Sequence, residues 1–351
     1  MVERILTRAL AFCFVFTSFS LHAEMTKDLS IATSYDNNAF GDADGQADYV
    51  TQLGGTLSWW DWGERFETQL YVNSQGYLFA QFGERNFTVN NAGIAFARQL
   101  GQGSNRLYAG SSLSLRMGRT GYEIYDFVGM KNYLTFKWYV RPSLMLRTGY
   151  TMRFRNYHKQ ETSRYEDHYL FAQINRFFPT RTTVRGDLSF GYKRHGASEG
   201  QLVLGIQVAQ SLTRDTGISL RYQNRQNPIE NSAQGLFSDE DILNDRYDYS
   251  GHEWSARLTQ QLPMRMRLVA EGGYEIRNYQ TVTTQAALGA ILLSGDFRND
   301  RTTFGSLVLE KPIGDRINTQ LIYGLERNLS TDTYYDYNSR HNLSINLEIG
   351  F

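Results

Sequence analysis

Residues 181–193 read RTTVRGDLSFGYK, and the side chains of this stretch alternate in character from one position to the next. One alternate set is mostly apolar, and it comprises Val184, Gly186, Leu188, Phe190 and Tyr192. The other set is mostly polar, and it comprises Thr183, Arg185, Asp187, Ser189, Gly191 and Lys193. A period of two places the two sets on opposite faces of a β-strand. The stretch therefore predicts a strand with one apolar face and one polar face.

The same alternation recurs through most of the chain, and it predicts about sixteen strands. They lie near residues 27–35, 48–60, 64–74, 87–99, 105–117, 125–138, 142–155, 166–177, 181–193, 201–212, 216–226, 250–262, 264–277, 302–311, 315–327 and 340–351. Soluble β-sandwiches alternate in the same way. Other features therefore have to decide whether the apolar face contacts lipid or packs in the core of a soluble protein.

Connections between the predicted strands are alternately short and long, as in transmembrane barrels. Four of the five prolines, at positions 142, 179, 263 and 312, fall in the short connections, where a strand can dispense with a backbone N–H. Aromatic residues gather at both strand ends, with Trp59 and Trp60 beside a short turn and Tyr334 and Tyr335 beside a long loop. Two such girdles are typical of the two interfaces of a bilayer.

Composition excludes several classes of protein. The chain has 351 residues and equal numbers of basic and acidic residues, 36 of each, which argues against a nucleic-acid-binding surface. Beyond the N-terminal region, no apolar stretch is long enough for a transmembrane helix. We therefore expect neither a helical membrane protein nor a nucleic-acid partner.

Residues 1–23 have the features of a secretory signal peptide. Arg4 and Arg8 precede the apolar residues 9–19, and residues 21–23 (Leu-His-Ala) offer a cleavage site before Glu24. The only cysteine, Cys13, lies inside this segment, so the mature chain has no disulfide and no thiolate nucleophile or ligand. We expect an exported protein with a single barrel domain over residues 24–351.

The chain ends in HNLSINLEIGF, residues 341–351, in which Leu343, Ile345, Leu347, Ile349 and Phe351 form one apolar face. A final amphipathic strand with a terminal Phe resembles the C-terminal assembly signal of Gram-negative outer-membrane β-barrel proteins, a porin-like class. The commonest form of that signal has Tyr two residues before the end, where this chain has Ile349. No single family within the class is indicated.

This resemblance implies an all-β fold: a transmembrane, antiparallel, up-and-down β-barrel of about sixteen strands, within a range of 14–18. It also implies short periplasmic turns and longer extracellular loops. The expected location is the outer membrane, in contact with lipid and lipopolysaccharide. The barrel-assembly machinery would recognise the last strand.

A barrel of this size is too wide for side chains to fill its lumen. Alternation assigns to the lumen wall the basic residues Arg106, Arg116, Lys137, Arg147, Arg153, Arg155, Arg185, Lys193, Arg221, Arg257, Arg265, Arg267 and Arg277, and the acidic residues Glu67, Asp187, Glu253, Glu271, Glu275, Glu326 and Glu348. Between residues 104 and 225 the wall is mostly basic, which favours anions. Opposed charges that cross-link the wall are the alternative interpretation.

We therefore predict a porin-like channel for small polar or anionic solutes. The alternative is a scaffold or export barrel whose lumen holds a partner protein or a polysaccharide. The apolar residues 285–294 would be either a lumen plug or an extra strand, and the extra strand would raise the count to eighteen. The short third connection, residues 118–122, argues against the long, inward-folded third loop of general porins.

The sequence gives no catalytic, metal or cofactor site. Asp167 with His168, and Ser250 with His252, are the nearest acid–base and nucleophile candidates, and neither matches a known arrangement. Residues 41–48 echo a calcium loop but lack its final Glu, so a solvated turn is expected. The acidic residues within 239–248 predict a solvated loop. We expect no enzyme activity and no cofactor.

Overall fold

The computed structural model describes residues 24–39, 41–101, 103–118, 121–159, 164–195, 197–229, 249–282 and 297–351. Within them, sixteen strands form. They are β1 (Glu24–Asp36), β2 (Asp48–Trp62), β3 (Phe66–Phe79), β4 (Phe87–Gln99), β5 (Arg106–Gly118), β6 (Phe127–Arg141), β7 (Leu144–Tyr157), β8 (Tyr165–Phe177), β9 (Thr182–His195), β10 (Ala197–Ser211), β11 (Thr216–Ile229), β12 (Tyr249–Gln261), β13 (Arg267–Val282), β14 (Phe297–Ile313), β15 (Ile317–Ser330) and β16 (Tyr337–Gly350). Two short 3₁₀ helices occupy Gly83–Arg85 and Glu123–Tyr125. No helix among the described residues is long and apolar enough to cross a membrane.

Every strand pairs antiparallel with its neighbours in the chain, and β1 pairs with β16 to close the barrel. The predicted sixteen-stranded, up-and-down barrel is confirmed. The observed strands run further toward the loops than predicted: β3 continues to Phe79 and β14 begins at Phe297. Backbone hydrogen bonds hold these extensions together even where the alternation of side chains has ended.

The barrel is apolar outside and polar inside. Leu29 and Ile345 point outward and are 55% and 61% exposed, whereas the inward Asp48 and Asp300 are 0% and 1% exposed. Among the described residues, the buried hydrophobic side chains are Ile94, Phe127, Tyr157 and Val269. The large apolar surface therefore lies on the outside, and lipid is the solvent that it fits.

Connections differ at the two ends of the barrel, as predicted. Residues 63–65, 142–143 and 314–316 make short turns at the end that holds the first and last strand termini. Longer connections such as 37–47 and 80–86 lie at the opposite end, which we call the loop end. One connection departs from this rule, because residue 196 alone separates β9 from β10 at the loop end.

Three sequence-based predictions fall outside the described residues. They concern the signal peptide at 1–23, the plug or strand at 285–294 and the acidic loop within 239–248. β13 and β14 nevertheless pair directly with each other, from Arg267 opposite Glu310 up to Val282 opposite Phe297. Among the described residues no strand intervenes between these two, and the closed sheet that they belong to has sixteen strands.

Candidate functional site in the barrel lumen

The lumen face consists of the residues that share a side with buried Asp48 and Asp300, since directly paired residues project to the same face of a sheet. The strand pairs place on it Arg106, Arg116, Lys137, Arg147, Arg153, Arg155, Arg185, Lys193, Arg221, Arg257, Arg267, Arg277, Glu67, Asp187, Glu253, Glu271, Glu275, Glu326 and Glu348. Nearly every predicted lumen residue is therefore where alternation put it.

Arg265 is the exception, and its predicted place in the lumen wall is wrong. It lies in the turn between β12 and β13, where Arg265 has a φ of 60° and its neighbour Met264 a φ of 59°. The N–H of Leu262 donates to the carbonyl of Met266 at 2.8 Å and closes this turn. The positive φ angles end the alternation, so β13 begins only at Arg267.

Six cations lie on the lumen face of β5, β6 and β7 and form what we call the basic wall: Arg106, Lys131, Lys137, Arg147, Arg153 and Arg155. Lys137 lies directly opposite both Arg106 and Arg147. Lys131 lies directly opposite Arg153. Like charges in direct cross-strand pairs destabilise a sheet. Their retention here costs folding free energy.

Aromatic rings, more than carboxylates, contact the basic wall. The Arg155 guanidinium lies 4.3 Å from the Phe127 ring centroid, and that of Arg147 lies 5.5 Å from Phe171. Arg106 is paired with a carboxylate, since its Nη1 lies 3.3 Å from Glu67 Oε1. Lys131, Lys137 and Arg147 form no ion pair within the described part of the chain. These three cations therefore present positive charge to the lumen, whereas Arg153 lies directly opposite the buried Asp167 of β8.

Ion pairs neutralise most of the remaining wall. Arg225 lies between two carboxylates, with Nη1 2.6 Å from Glu275 Oε1 and Nη2 3.1 Å from Glu253 Oε2. Glu275 also accepts from Arg277 at 2.6 Å. Further pairs are Arg185–Asp187, Arg257–Glu271, Arg267–Glu310, Arg298–Asp300 and Arg340–Asp36. Some of these pairs join neighbouring strands, as in Arg257–Glu271, Arg267–Glu310 and Arg340–Asp36, whereas Arg185–Asp187 and Arg298–Asp300 each lie within one strand.

Several lumen residues were missed from the sequence. Lys131 lies six positions before Lys137 and has the same parity, so strict counting along β6 would have found it. Arg225 and Arg340 share the parity of predicted lumen residues in the same way. Arg298 fell in a segment interpreted as a loop, and only the observed start of β14 places it in the sheet.

A cavity of about 660 Å³ opens at the loop end of the lumen. Its cationic lining comprises Arg85, Arg116, Arg277, Arg298 and Arg340, its acidic lining comprises Asp36, Asp300 and Glu326, and its aromatic lining comprises Phe79, Phe87, Tyr122, Tyr125, Tyr334, Tyr335 and Tyr337. The Arg116 guanidinium lies 4.0 Å from the Phe87 ring centroid, and that of Arg298 lies 3.4 Å from Tyr335. Arg298 is already bound to Asp300, so of these two guanidinium groups that of Arg116 is the better suited to contact a planar anion.

The third connection stays at this rim, in keeping with its short length. Its 3₁₀ helix contributes Tyr125 to the cavity, and Lys159 Nζ binds the Glu123 carboxylate at 2.7 Å. This hydrogen bond lowers the pKa of the exposed Glu123 carboxyl. The third and fourth loop-end connections are thereby joined.

The histidine candidates form no catalytic group. Asp167 faces the lumen while His168 faces outward, so their side chains diverge. His168 Nδ1 lies 2.5 Å from the Tyr150 hydroxyl. His252 Nδ1 likewise lies 2.9 Å from the Tyr222 hydroxyl, and no carboxylate in the described part of the chain orients it. No cluster of three or more metal-ligating side chains occurs among the described residues.

Within residues 41–48, positions 43–46 are exposed as predicted, but Asp42 and Asp48 are buried. Asp42 is 5% exposed and accepts hydrogen bonds from the N–H groups of Asp44 and Gly45. Asp48 accepts from the N–H groups of residues 80–82. These carboxylates bind backbone, so the expectation of a solvated turn is wrong for both of them.

No protein-family model matches the chain, and no curated protein matches it. Solved structures do match. The barrel is similar to OccAB1 of Acinetobacter baumannii, with a TM-score of 0.57, 9% identity and coverage of 95% of this chain and 98% of that one. It is also similar to OpdK of Pseudomonas aeruginosa, solved with vanillate, with a TM-score of 0.55, 11% identity and coverage of 93% and 99%.

A third similar structure is a bacterial polysaccharide outer membrane secretin, with a TM-score of 0.56, 10% identity and coverage of 93% of this chain and 97% of that one. At these identities the likeness concerns the fold. This chain has the closed-barrel fold of Gram-negative outer-membrane proteins.

Proposed function

We propose that the protein is an outer-membrane channel that admits small anionic solutes, exported by way of a signal peptide at residues 1–23. The observation that carries the proposal is the basic wall, in which Lys137 lies between Arg106 and Arg147 and Lys131 faces Arg153. A fold gains nothing from such like-charge pairs, whereas a channel gains an attractive field for anions.

The opposite side of the lumen supports the same proposal. There Glu253 and Glu275 bind Arg225, and Glu275 also binds Arg277, so these two carboxylates balance the two guanidinium groups and leave little net charge for a passing ion. The field across the lumen is therefore set by the basic wall. OpdK was solved with vanillate, an aromatic carboxylate. The arginines and rings of the loop-end cavity give this chain suitable groups for a solute of that class.

Planar-bilayer recording under a salt gradient tests the proposal. The wild-type protein should form a stable pore whose reversal potential indicates anion preference. The variant Lys137→Glu/Arg147→Glu should lower the anion-to-cation permeability ratio at least about threefold, because lumen charges set potentials of several kT. The matched control is Arg267→Glu/Glu310→Arg, which reverses a neutral pair bonded at 2.5 Å and should leave the ratio unchanged.

Two outcomes would count against the proposal. A folded, heat-modifiable barrel without conductance contradicts an open channel. Unchanged selectivity in Lys137→Glu/Arg147→Glu contradicts the role of the basic wall, which includes Arg153 and Arg155.

The second candidate is an export or scaffold barrel whose lumen holds a polysaccharide or a partner protein. The likeness to a polysaccharide outer membrane secretin is the observation that favours it. This candidate predicts erratic gating or no conductance until the partner is added. Neither candidate requires a catalytic group or a cofactor.

A further inference from the structure

The outward face of the barrel carries three basic side chains in a row near the loop end. Arg301 lies on β14, Arg327 on β15 and His341 on β16. Arg327 pairs with Thr303, which lies two residues from Arg301 on the same face of β14. His341 pairs with Leu325, which lies two residues from Arg327 on the same face of β15. Diagonal neighbours of this kind have Cα atoms about 7–8 Å apart. We call these three residues the outer basic row.

The outer basic row faces away from the lumen. Arg301 stands between Asp300 and Thr302, which are both buried and face inward. The side chains of Arg301 and Arg327 are exposed. Below them on the same outward face come apolar residues, among them Leu307, Leu325 and Leu343. The exposed Leu329 lies directly opposite Arg301, so the row lies close to the loop-end edge of the surface that contacts lipid.

No carboxylate accompanies the outer basic row. Among the described residues, the outward positions of β13–β16 hold no Asp or Glu, and neither Arg301 nor Arg327 forms an ion pair. The corresponding region of β8 and β9 is different. There Glu166 faces Arg194 and lies 3.3 Å from His168 Nε2. Arg194 and His168 thus have a carboxylate, Glu166, beside them on the outward face, and the outer basic row has none among the described residues.

We infer that the outer basic row is a binding site for the phosphate groups of lipopolysaccharide in the outer leaflet. Cations are costly in the hydrocarbon layer but tolerated at its edge, where anionic headgroups lie. Arginine pairs with phosphate through two parallel N–H···O bonds. The Tyr323 hydroxyl lies 2.8 Å from His341 Nδ1 and orients that ring. This inference rests on the outer-membrane placement proposed above and is independent of lumen selectivity.

The test compares wild-type protein with Arg301→Gln/Arg327→Gln and with the control Arg194→Gln. Each is purified from outer membranes in mild detergent, and the lipopolysaccharide retained per barrel is quantified. Each is then refolded without lipid and titrated with lipopolysaccharide, with dephosphorylated lipopolysaccharide and with inorganic phosphate. We expect the double variant to bind lipopolysaccharide at least tenfold more weakly than wild type, and the control to match wild type.

Dephosphorylation should weaken wild-type binding to the level of the double variant. The inference would be overturned if wild-type protein bound dephosphorylated and intact lipopolysaccharide equally well. It would also be overturned if the double variant retained as much lipopolysaccharide per barrel as wild type. If inorganic phosphate bound as tightly as lipopolysaccharide, the site would be one for free phosphate and the assignment to lipopolysaccharide would be wrong. Should the double variant not fold, Arg301→Lys/Arg327→Lys, which keeps the charge but loses the bidentate geometry, is expected to show intermediate affinity. Bilayer conductance of the same samples reports separately on the channel proposal.

Discussion

At the residue scale, buried aspartates hold the loop end of the barrel by binding backbone. Asp48 is 0% exposed, and its Oδ1 accepts from the N–H of Ala80 at 3.1 Å and of Gln81 at 2.9 Å. Asp36 binds Arg340 through both carboxylate oxygens. The protein donors replace the hydrogen bonds to water that each carboxylate loses when it is buried. These residues therefore fix connections that the strands alone would leave loose.

The substitution Asp48→Asn should loosen residues 80–86. The amide keeps the shape of the side chain but loses its charge and one acceptor, so we expect a loss of about 1–3 kcal/mol in the free energy of unfolding. Urea denaturation and protease cleavage within 80–86 measure the effect. Asp44→Asn is the control, because Asp44 is exposed and its backbone N–H, rather than its carboxylate, makes the recorded bond. Equal effects of the two substitutions would contradict this role.

At the element scale, adjacent strands fit together through glycines that face aromatic rings across the lumen wall. Gly149 on β7 lies opposite Phe171 on β8, and a Cβ at Gly149 would come within 2.6 Å of the Phe171 ring. The same arrangement joins Tyr71 to Gly93, Gly110 to Tyr133 and Gly273 to Phe304. The rings lie flat on the wall because these glycines leave them room. The lumen stays wide as a result.

Gly149→Ala should therefore displace the Phe171 ring, since Thr135 Oγ1 closes the other side at 2.8 Å. We expect a loss of about 1–3 kcal/mol in the free energy of unfolding and a smaller single-channel conductance. Urea denaturation and bilayer recording measure the two effects. Gly76→Ala is the matched control, because a Cβ there meets nothing within 4 Å. Identical behaviour of the two variants would refute the packing argument.

At the scale of the whole molecule, the contact between the first and last strands makes the sheet a barrel. β1 and β16 pair from Asp28 opposite Gly350 to Asp36 opposite Asn342. The N–H of Phe351 donates to the carbonyl of Lys27 at 2.8 Å and extends this seam by one residue. Closure removes the sheet edges, which a membrane would not tolerate. The apolar face of the last strand, ending in Phe351, is thus part of both the seam and the predicted assembly signal.

Deletion of Phe351 should lower the fraction of chains that reach the folded, heat-modifiable form in the outer membrane, to roughly half or less. A single lost backbone contact is worth only about 1 kcal/mol, so refolding in detergent should change little. Electrophoresis of heated and unheated membranes measures the folded fraction. Phe351→Tyr keeps the aromatic terminus and should assemble like wild type. A matching loss on refolding in detergent would instead assign Phe351 a role in stability.

The sequence by itself determined the strands, their two faces and the inward direction of nearly every charged residue that it assigned to the lumen wall. It could do so because alternation is a local property that one strand displays alone. Which charges are neutralised was decided by tertiary structure. Arg340 and Asp36 are 304 positions apart, and only barrel closure brings them together. The register likewise set cation against cation along β6 and β7. Ion pairing depends on distance across strands, and that distance is a property of the closed sheet.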